Sequence, residues 1–381
     1  MEKFDVAVVG LGALGSAAAY QSALKGAKVV AFEQFEFGHV RGSSHDTSRI
    51  VRTSYDSPEY VSLARSAYKD WAKLEEATGQ KLLTITGGLV FITKDGPASV
   101  KSWTTSLDAN GVPYEQLDAK EVNKRWPQFK IGDKVDTVYT PDSGIVHASR
   151  SVTTMQYLAR NHGAVLKENT RVERLNPQTS GGVIVETSSG RFHAAKVILT
   201  ADGWTNTLLS PLNAEIPLEV TQEQVTYYKP TNPAAWQQDR FPVWIWGGDT
   251  WFYGFPTFGE PTIKAGRDRA ENLMTPENRT FVHSQKLLQQ LTSFMDDVMP
   301  DEGRQVLRTV TCQYVVTPDR QFIISPLEKY RDIIVGLGAA HAFKFAPAFG
   351  RVLAELAIDG RATDDISKFG IPKVAPLSSK L

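Results

Sequence analysis

The sequence has few of the features that mark secreted, nucleic-acid-binding or membrane proteins. It contains one cysteine, Cys312, so no disulfide can form within the chain and a reducing compartment is expected. Its 42 basic residues are matched by 42 acidic ones, which argues against nucleic acid or an anionic membrane surface as a partner. No apolar run reaches the roughly 20 residues of a membrane span, and no signal peptide is expected before the first strand. No metal site is predicted. With 381 residues, the chain is long enough for two domains.

The first part of the chain predicts a site for a dinucleotide. Residues 4–10 (FDVAVVG) form a short apolar run typical of a buried parallel strand, and residues 27–33 (AKVVAFE) form a second one. Between them, Gly10, Gly12 and Gly15 have the spacing G-x-G-x-x-G. The first glycine permits a tight turn, the second lets the backbone approach a pyrophosphate, and the third lets helix and strand pack closely. Backbone N–H groups at the start of the helix would face the phosphates.

Glu33 ends the second strand and narrows the choice of cofactor. Its carboxylate can accept hydrogen bonds from the ribose hydroxyls of a dinucleotide, and it would repel a 2′-phosphate. NADP is therefore disfavoured, whereas the motif alone leaves NAD and FAD open.

The order of the remaining segments predicts an α/β fold in which the first domain is interrupted. Apolar strands at 196–200 and 332–338 would join the nucleotide-binding sheet, and a helix is expected from about His341 to Ile358. Residues 218–299 are rich in aromatics and show strand and turn patterns without a helical period, so we expect an inserted antiparallel sheet. The expected boundaries are 1–85, 143–217 and 305–365 for the nucleotide-binding domain, 86–142 and 218–304 for the substrate domain, and 366–381 for a tail.

Five segments resemble the monomeric sarcosine oxidase family of FAD-dependent amine oxidases, to which N-methyltryptophan oxidase and pipecolate oxidase also belong. They are GLGALGSAAAY at 10–20, RGSSHDTSRIVR at 41–52, YGFP at 253–256, CQYVVTPDRQFII at 312–324 and HAFK at 341–344. Together they extend over nearly the whole chain. The resemblance implies FAD as the cofactor, and a glutathione-reductase-type fold in which a Rossmann-like FAD-binding domain carries an inserted substrate domain.

The resemblance also implies which residues hold the cofactor. Cys312 matches the cysteine that bonds covalently to the 8α-methyl group of the flavin; the alternative is a buried core cysteine. The other positions implied in cofactor binding are Gly10, Gly12, Leu14, Gly15, Glu33, Gln34, Ser43, Ser44, Gly338 and Lys344.

Four cationic or titratable side chains match residues that lie at the flavin ring in this family. Lys264 matches the lysine that activates oxygen, where a cation would stabilise superoxide as it forms. Arg49 and His45 match loop residues beside the ring, where positive charge would stabilise the anionic reduced flavin. His341 matches a histidine at the flavin face. The alternatives are an outward-facing strand lysine for Lys264 and structural roles for the two histidines.

Arg52 and Lys344 match the residues that bind the substrate carboxylate. A planar guanidinium suits bidentate recognition of a carboxylate, and a second cation adds charge complementarity. Tyr253 and Tyr314 match aromatic walls of the substrate pocket, where they can help to enclose an amine.

The chain departs from the family pattern at three places. Asp268 stands where the family usually has a histidine that contacts the substrate, and an acid there is expected to change the charge of the pocket and the choice of substrate. Alanine occupies positions 339, 340 and 342 around His341, where the family has serine and glycine, and alanine restricts the backbone. Asp202 replaces a small residue in the turn before Trp204.

The resemblance implies a flavin-dependent oxidase of a secondary amino acid, whether N-methylated, cyclic or otherwise N-substituted. Such an enzyme takes a hydride from the C–N bond, gives an imine that water hydrolyses, and releases hydrogen peroxide when oxygen reoxidises the flavin. The alternatives are a fructosyl amino acid oxidase of the same fold, an NAD-dependent dehydrogenase, and a flavin-bound protein with a dead site. A monomer is expected, with an amino acid and molecular oxygen as its small-molecule partners.

The last three residues, Ser379, Lys380 and Leu381, form the tripeptide of peroxisomal import. They follow a proline-containing tail that is expected to be accessible to an import receptor. A peroxisomal location is therefore expected if the source is eukaryotic, and that location fits an enzyme that produces peroxide. In a bacterial source the tripeptide has no such meaning, and the cytoplasm is expected.

Overall fold

Three β-sheets and the helices around them carry the fold. A computed structural model describes residues 1–270 and 272–372. The strands are β1 (Glu2–Val9), β2 (Val29–Phe32), β3 (Ser48–Val51), β4 (Leu83–Ile85), β5 (Gly88–Thr93), β6 (Glu115–Leu117), β7 (Val135–Thr140), β8 (Gly144–His147), β9 (Val165–Lys167), β10 (Val172–Pro177), β11 (Val183–Thr187), β12 (Gly190–Leu199), β13 (Glu219–Lys229), β14 (Val243–Gly247), β15 (Trp251–Phe255), β16 (Ile263–Asp268), β17 (Gln305–Val316), β18 (Ile323–Pro326) and β19 (Ile333–Leu337). The helices are α1 (Ala13–Leu24), α2 (Pro58–Thr78), α3 (Val100–Ala109), α4 (Ala119–Arg125), α5 (Ala148–Asn161), α6 (Thr205–Leu209), α7 (Gln285–Val298) and α8 (Ala346–Ile358).

The first sheet contains β1 and has the parallel pairing that the sequence predicts. Its order is β10-β11-β12-β1-β2-β9, and β19 pairs with β12 while β18 pairs with β19. β1 pairs in parallel with β2 and β12, and β12 pairs in parallel with β19. All residues of β2 and β19 are buried, as expected for central strands covered on both faces.

Glycines fix the way in which α1 leaves β1. Gly10 has a φ of +90°, a conformation that side chains rarely adopt, and a Cβ atom there would lie 2.6 Å from the carbonyl oxygen of Thr200. A Cβ atom on Gly15 would lie 1.8 Å from the carbonyl oxygen of Gly10. The turn therefore has the tight geometry that its motif predicts, and it places the start of α1 at the end of β1.

The second sheet is the inserted, aromatic-rich layer. Its order is β17-β13-β16-β15-β14-β5-β7-β6, and its pairs are antiparallel except for the parallel pair of β14 with β5. A third sheet of β3, β8 and β4 follows the order β3-β8-β4. The mixed α/β architecture expected from the sequence is confirmed.

The expectation that residues 218–299 contain no helix is wrong. α7 occupies the end of this segment, and the hydroxyl of Ser284 caps it by accepting a hydrogen bond from the backbone N–H of Leu287 (3.4 Å). Its buried side chains are Leu291, Met295 and Val298, which recur at intervals of four and three residues. The helical pattern extends over only 14 residues, and the aromatic strands before it make up most of the segment.

The strand β17 contradicts the expected boundary at residue 305. It pairs with β13 from Gln305 to Val316, so these residues belong to the second sheet, Cys312 included. In the sequence, β17 is followed directly by β18, which belongs to the first sheet. For this reason the boundary was expected before β17 and not after it. The other domain boundaries stay predictions.

The last helix begins five residues later than expected. Residues 339–341 form a turn, in which Ala339 and Ala340 have left-handed backbone with φ of 42° and 76°, and a short 3₁₀ helix (Phe343–Phe345) follows it. α8 instead begins at Ala346, with a proline in its first turn, where the missing N–H of proline costs nothing. The import tripeptide at Ser379–Leu381 lies outside the described residues. Among those described, no helix is both long and apolar enough to cross a membrane.

The contact between α1 and α8 gives a test of the packing. A Cβ atom on Gly350 would lie 2.4 Å from both a backbone atom and the Cβ of Ala17. Gly350→Ala should therefore lower the free energy of unfolding by about 1–3 kcal/mol, because the helices must move apart. Denaturant unfolding measures this, with Gly132→Ala as the control, since Gly132 has open space around it. Equal stability of the two variants would contradict the packing argument.

Candidate active site

One large cavity lies where the glycine turn, the loop after β2 and the second sheet meet. Its volume is about 570 Å³, within the usual range for ligand pockets of roughly 300–1,000 Å³. The cavity is lined by every site residue expected from the sequence except Gly15, which lies behind the turn and serves packing. The structure thus brings together residues that are up to about 330 positions apart in the chain, from Gly10 to Lys344.

The glycine turn forms one end of the cavity. The hydroxyl of Ser44 accepts a hydrogen bond from the backbone N–H of Ala13 (2.9 Å), and a Cβ atom on Gly12 would lie 2.9 Å from that hydroxyl oxygen. Glu33 is buried, and its carboxylate accepts hydrogen bonds from the backbone N–H groups of Leu11 (3.0 Å) and Phe35 (3.2 Å). The carboxylate therefore stands at the turn, where a ribose would meet it. Lining residues here also include Leu14 and Gln34.

Ser43 ties this end of the cavity to the second sheet. Its hydroxyl lies 2.6 Å from Asp202 Oδ2, which also accepts a hydrogen bond from the Gln313 side chain (3.0 Å). Burial raises the pKa of Asp202, although these hydrogen bonds oppose the change. Asp202 is therefore a structural link between the turn after β12 and the strand β17.

One face of the second sheet supplies the other wall. Side chains alternate along a strand, so Lys264 and Asp268 of β16 share a face, as do Cys312 and Tyr314 of β17. The register places Cys312 opposite Glu223 of β13. All five side chains line the cavity. Tyr253 of β15 joins them opposite Gly266, where a Cβ atom would lie 2.8 Å from the tyrosine ring.

Lys264 is buried and paired. Its side chain is 4% exposed, and the ammonium Nζ lies 2.6 Å from Asp46 Oδ2. The ammonium also donates to the backbone oxygen (3.1 Å) and hydroxyl (3.3 Å) of Ser48. Burial lowers the pKa of Lys264 to about 8, while Asp46 acts to raise it. The lysine faces inward, so the alternative of an outward-facing strand lysine is wrong.

Arg52 and Lys344 are neighbouring cations, and neither forms a salt bridge with a carboxylate in the part of the chain that the structure describes. Two guanidinium nitrogens of Arg52, Nε and Nη1, are buried and have no hydrogen-bond partner among the described residues. The guanidinium lies 3.8 Å above the ring of Tyr55, and Lys344 donates to the backbone oxygen of His341 (2.7 Å). Burial holds the pKa of Lys344 well below its usual value, and the nearby Arg52 lowers it further.

Asp268 has a partner that the sequence did not reveal. Arg320 binds it with two hydrogen bonds, from Nη1 to Oδ2 (3.0 Å) and from Nη2 to Oδ1 (3.2 Å). The acid is therefore paired with a cation, and the expectation that it changes the charge of the pocket stays a prediction. What the pair does add is a set of polar groups at this end of the cavity.

The two histidines have different surroundings. His45 is buried, and its Nε2 has no partner among the described residues. Burial lowers the pKa of His45 to about 3, so the ring is neutral at physiological pH. His341 packs against Phe322, with ring centroids 4.6 Å apart, and its Nε2 lies 3.2 Å from the backbone oxygen of Arg320. Its contacts are those of a structural residue, and its catalytic role stays a prediction.

Cationic groups surround Cys312. The thiol is 8% exposed, and Sγ lies 3.6 Å from the backbone oxygen of Gln313. Burial raises the pKa of Cys312, while Arg49 and Arg279 lower it. Arg49 itself is held by the backbone oxygens of Ser43 and Ser48, both at 2.9 Å.

Sequence reasoning missed several residues of this site. Asp46, Glu223, Arg279 and Arg320 line the cavity or contact residues that do. Glu223 gave a signal that went unused, because a lone acid in the strand pattern VTQEQVTYY needs a reason to be buried. Asp46 and Arg320 lie in segments that resemble the family, at 41–52 and 312–324, but their partners are distant in sequence, and Arg279 gave no signal.

Comparison with known proteins identifies the family. The model of the FAD dependent oxidoreductase family (DAO) matches residues 5–356. The chain belongs to this family. It is 32% identical to the monomeric sarcosine oxidase of Bacillus sp. (strain B-0618) over 379 residues, which cover 98% of this chain and 96% of the relative. It is 30% identical to the peroxisomal sarcosine oxidase of Homo sapiens, covering 98% and 97%. The expected resemblance is thereby confirmed.

A solved structure supports the fold. The open form of NikD, described as an unusual amino acid oxidase essential for nikkomycin biosynthesis, has a TM-score of 0.86 and 27% identity, and the match covers all of both chains. Family membership decides for FAD over NAD. The residues present fit that cofactor, because Gly12 lines the cavity without a side chain, Glu33 is buried beside the turn, and Arg52, which lines the same cavity, has two nitrogens without a partner among the described residues.

The buried carboxyl of Glu223 makes stability depend on pH. Burial raises its pKa to about 7, so the folded protein keeps a proton that the unfolded chain releases above about pH 4.5. This contribution to stability is complete below pH 4.5 and is lost as the pH rises through 7. Glu223→Gln should therefore gain up to roughly 3 kcal/mol relative to the wild type between pH 5 and 8.

The free energy of unfolding of the holoenzyme, measured at pH 5 and at pH 8, gives this difference in stability. Glu215→Gln serves as the control, because Glu215 is exposed and does not line the cavity. A constant difference between Glu223→Gln and the wild type at the two pH values would show that Glu223 has an ordinary acidity.

Proposed function

We propose that the protein oxidises the C–N bond of a secondary amino acid to an imine, with dioxygen as the electron acceptor and hydrogen peroxide as a product. The observation that carries this proposal is the pair of cations Arg52 and Lys344 in the family's cofactor cavity, neither of which has a carboxylate partner among the described residues. The relatives named as sarcosine oxidases support it. FAD, when bound, would accept a hydride, which carries two electrons, from the substrate and would pass those electrons to dioxygen.

The cationic pair suits an amino acid carboxylate. Two neighbouring cations that are partly buried are costly without an anion, and a bound carboxylate removes that cost. Tyr55 holds the plane of the Arg52 guanidinium by stacking at 3.8 Å, and the backbone of Lys344 is fixed by a hydrogen bond from Trp71 Nε1 (2.8 Å). The clamp is thus preorganised. The same positive field, together with desolvation, lowers the pKa of the substrate amine and favours the neutral base that reacts.

The remaining residues fall into two groups. We assign the holding of FAD to the glycine turn of Gly10, Gly12 and Leu14 with its packing residue Gly15, and to Glu33, Gln34, Ser43, Ser44 and Gly338. Tyr253 and Tyr314 would enclose the substrate. Burial raises the pKa of both phenols, so they remain protonated and uncharged. Arg49 and Lys264 supply positive charge at the reacting end of the cavity, beside His45.

We also propose a thioether between Cys312 Sγ and the 8α carbon of the flavin. The thiol stands on the sheet face that lines the cavity, and Arg49 and Arg279 oppose the rise in its pKa that burial causes. Formation of this bond from the thiol and the methyl group releases two protons and two electrons, and dioxygen takes up the electrons.

Cys312→Ser tests the thioether. The variant should lose its flavin to the supernatant on acid precipitation and give a colourless pellet, because a serine hydroxyl is too weak a nucleophile to form the bond. The wild type should give a yellow pellet. Thr309→Ser is the matched control on the same strand, and it should also stay yellow. A yellow pellet from Cys312→Ser would place the attachment elsewhere or show that the flavin is merely trapped.

Arg52→Met tests the carboxylate clamp. The Michaelis constant for sarcosine should rise about 10- to 150-fold, because a charge-assisted hydrogen-bond pair is lost. The constant for a secondary amine without a carboxylate should change little. Arg65→Met, on the exposed face of α2, is the control and should leave both constants unchanged. If the Michaelis constants for both substrates rise equally in Arg52→Met, Arg52 does not bind the substrate carboxylate.

The pair of Asp268 and Arg320 favours a second candidate, oxidation of a fructosyl amino acid. The pair presents both donors and acceptors to the cavity, which suits a substituent rich in hydroxyl groups. Peroxide release from sarcosine, pipecolate and fructosyl-glycine distinguishes the two. The monomeric state, the peroxisomal import receptor and the cytoplasmic alternative stay predictions from the sequence.

A further inference from the structure

Asp46 holds the ammonium of Lys264 in a buried network. Its side chain is 11% exposed, and its Oδ2 accepts from Lys264 Nζ at 2.6 Å. Its other oxygen, Oδ1, accepts from the hydroxyl of Tyr227 and from the backbone N–H of Thr47 (2.8 Å). Arg49 is more distant, with Nη1 3.9 Å from Oδ2. Lys264 is thus the closest cation to the Asp46 carboxylate.

The backbone of Asp46 is held in an unfavourable conformation. Its φ is 82°, in the left-handed region that favours glycine. The start of α5 fixes it there, because the backbone N–H (3.2 Å) and the hydroxyl (2.9 Å) of Ser149 both donate to the carbonyl oxygen of Asp46. Strain of this kind persists where the surrounding structure fixes a residue, and it clusters at functional sites. Asp46 thus combines an unfavourable backbone conformation with the contact to Lys264.

We propose that Asp46 is a positioning residue that keeps the ammonium of Lys264 charged and directed at the cavity for the reaction with dioxygen. This inference rests on the function proposed above, since it concerns the lysine assigned to the oxygen step. The new element is that the positive charge of Lys264 depends on Asp46, which lies in a loop that is distant from Lys264 in the sequence.

The balance of charges around Lys264 explains the need for a partner. Burial and Arg49 act to neutralise the lysine, and together they lower its pKa to about 8 despite the opposing effect of Asp46. The other titratable groups facing it are His45, Tyr227 and Cys312. A carboxylate at 2.6 Å screens part of the field of the ammonium, but a neutral amine would exert almost none. Retention of the charge is therefore the larger effect.

A spectral titration of the holoenzyme tests the proposal without turnover. The absorbance of the bound flavin is recorded from about pH 6 to 10 under argon, and the ionisation that disappears in Lys264→Met is assigned to the lysine. It should occur near pH 8 in the wild type. Asp46→Gly and Asp46→Asn should move it at least about one unit lower, because burial is then unopposed. Glycine suits the left-handed backbone, so Asp46→Gly is expected to fold.

The oxygen reaction gives the second measurement. The rate constant for reoxidation requires the charged lysine, so it should fall as the pH rises through the same midpoint in each protein. At pH 8 the two Asp46 variants should therefore react at least about fivefold more slowly than the wild type, because half of the wild-type lysine is charged there but only about a tenth of the variants' lysine. Tyr227→Phe, which removes a hydrogen bond to Asp46 but no charge, should keep the wild-type midpoint.

The outcomes separate this inference from the proposed function. An ionisation at the same pH in the wild type and both Asp46 variants, or none in any of them, would overturn the role of Asp46. If the midpoint is shifted in the Asp46 variants but the wild-type protein oxidises no secondary amino acid, the role of Asp46 is supported and the proposed reaction is rejected.

Discussion

Buried charges must have partners, and this constraint governs the cavity between the two large sheets. Lys264 is matched by Asp46, and Asp268 is matched by Arg320. Arg52 and Lys344 have no carboxylate partner in the described part of the chain, although Lys344 donates to a backbone oxygen. The charges of Lys264 and Asp268 are thus neutralised within the protein, whereas Arg52 and Lys344 can bind an anionic ligand. Binding specificity follows from this division.

The cavity is also a region of unfavourable backbone. Asp46, Asp202, Arg320, Ala339 and Ala340 all have positive φ, between 42° and 82°, although none is glycine. All of them except Ala339 line the cavity. Such conformations cost roughly 1–3 kcal/mol each and persist only where the surroundings fix them. The surrounding sheets and helices therefore offset strain that is concentrated at the reacting end of the molecule.

The sequence predicted the first sheet well because its signals are local. Two apolar strands, three glycines and one acid lie within 33 residues, and the turn they form has the expected geometry. The family resemblance then brought most of the cavity residues together, although their roles remain to be tested. What it did not reveal were the partners, because Asp46 lies 218 positions from Lys264 and Arg320 lies 52 from Asp268. The left-handed backbone of the aspartates and alanines could not be predicted either, because glycine is the residue that usually indicates this conformation in a sequence. The same distance effect misplaced β17, whose partner β13 precedes it by some 80 residues.

The pairing of β1 with later strands has a consequence for how the protein is made. β1 needs β12 beside it, β12 needs β19, and α1 is covered by α8, which ends at Ile358. A chain emerging from the ribosome therefore cannot complete its amino-terminal sheet until those late residues have been synthesised. Long-range closure of this kind is slow and exposes apolar strands in the meantime. Most of the chain must therefore be translated before the glycine turn and α1 can pack as they do in the folded protein.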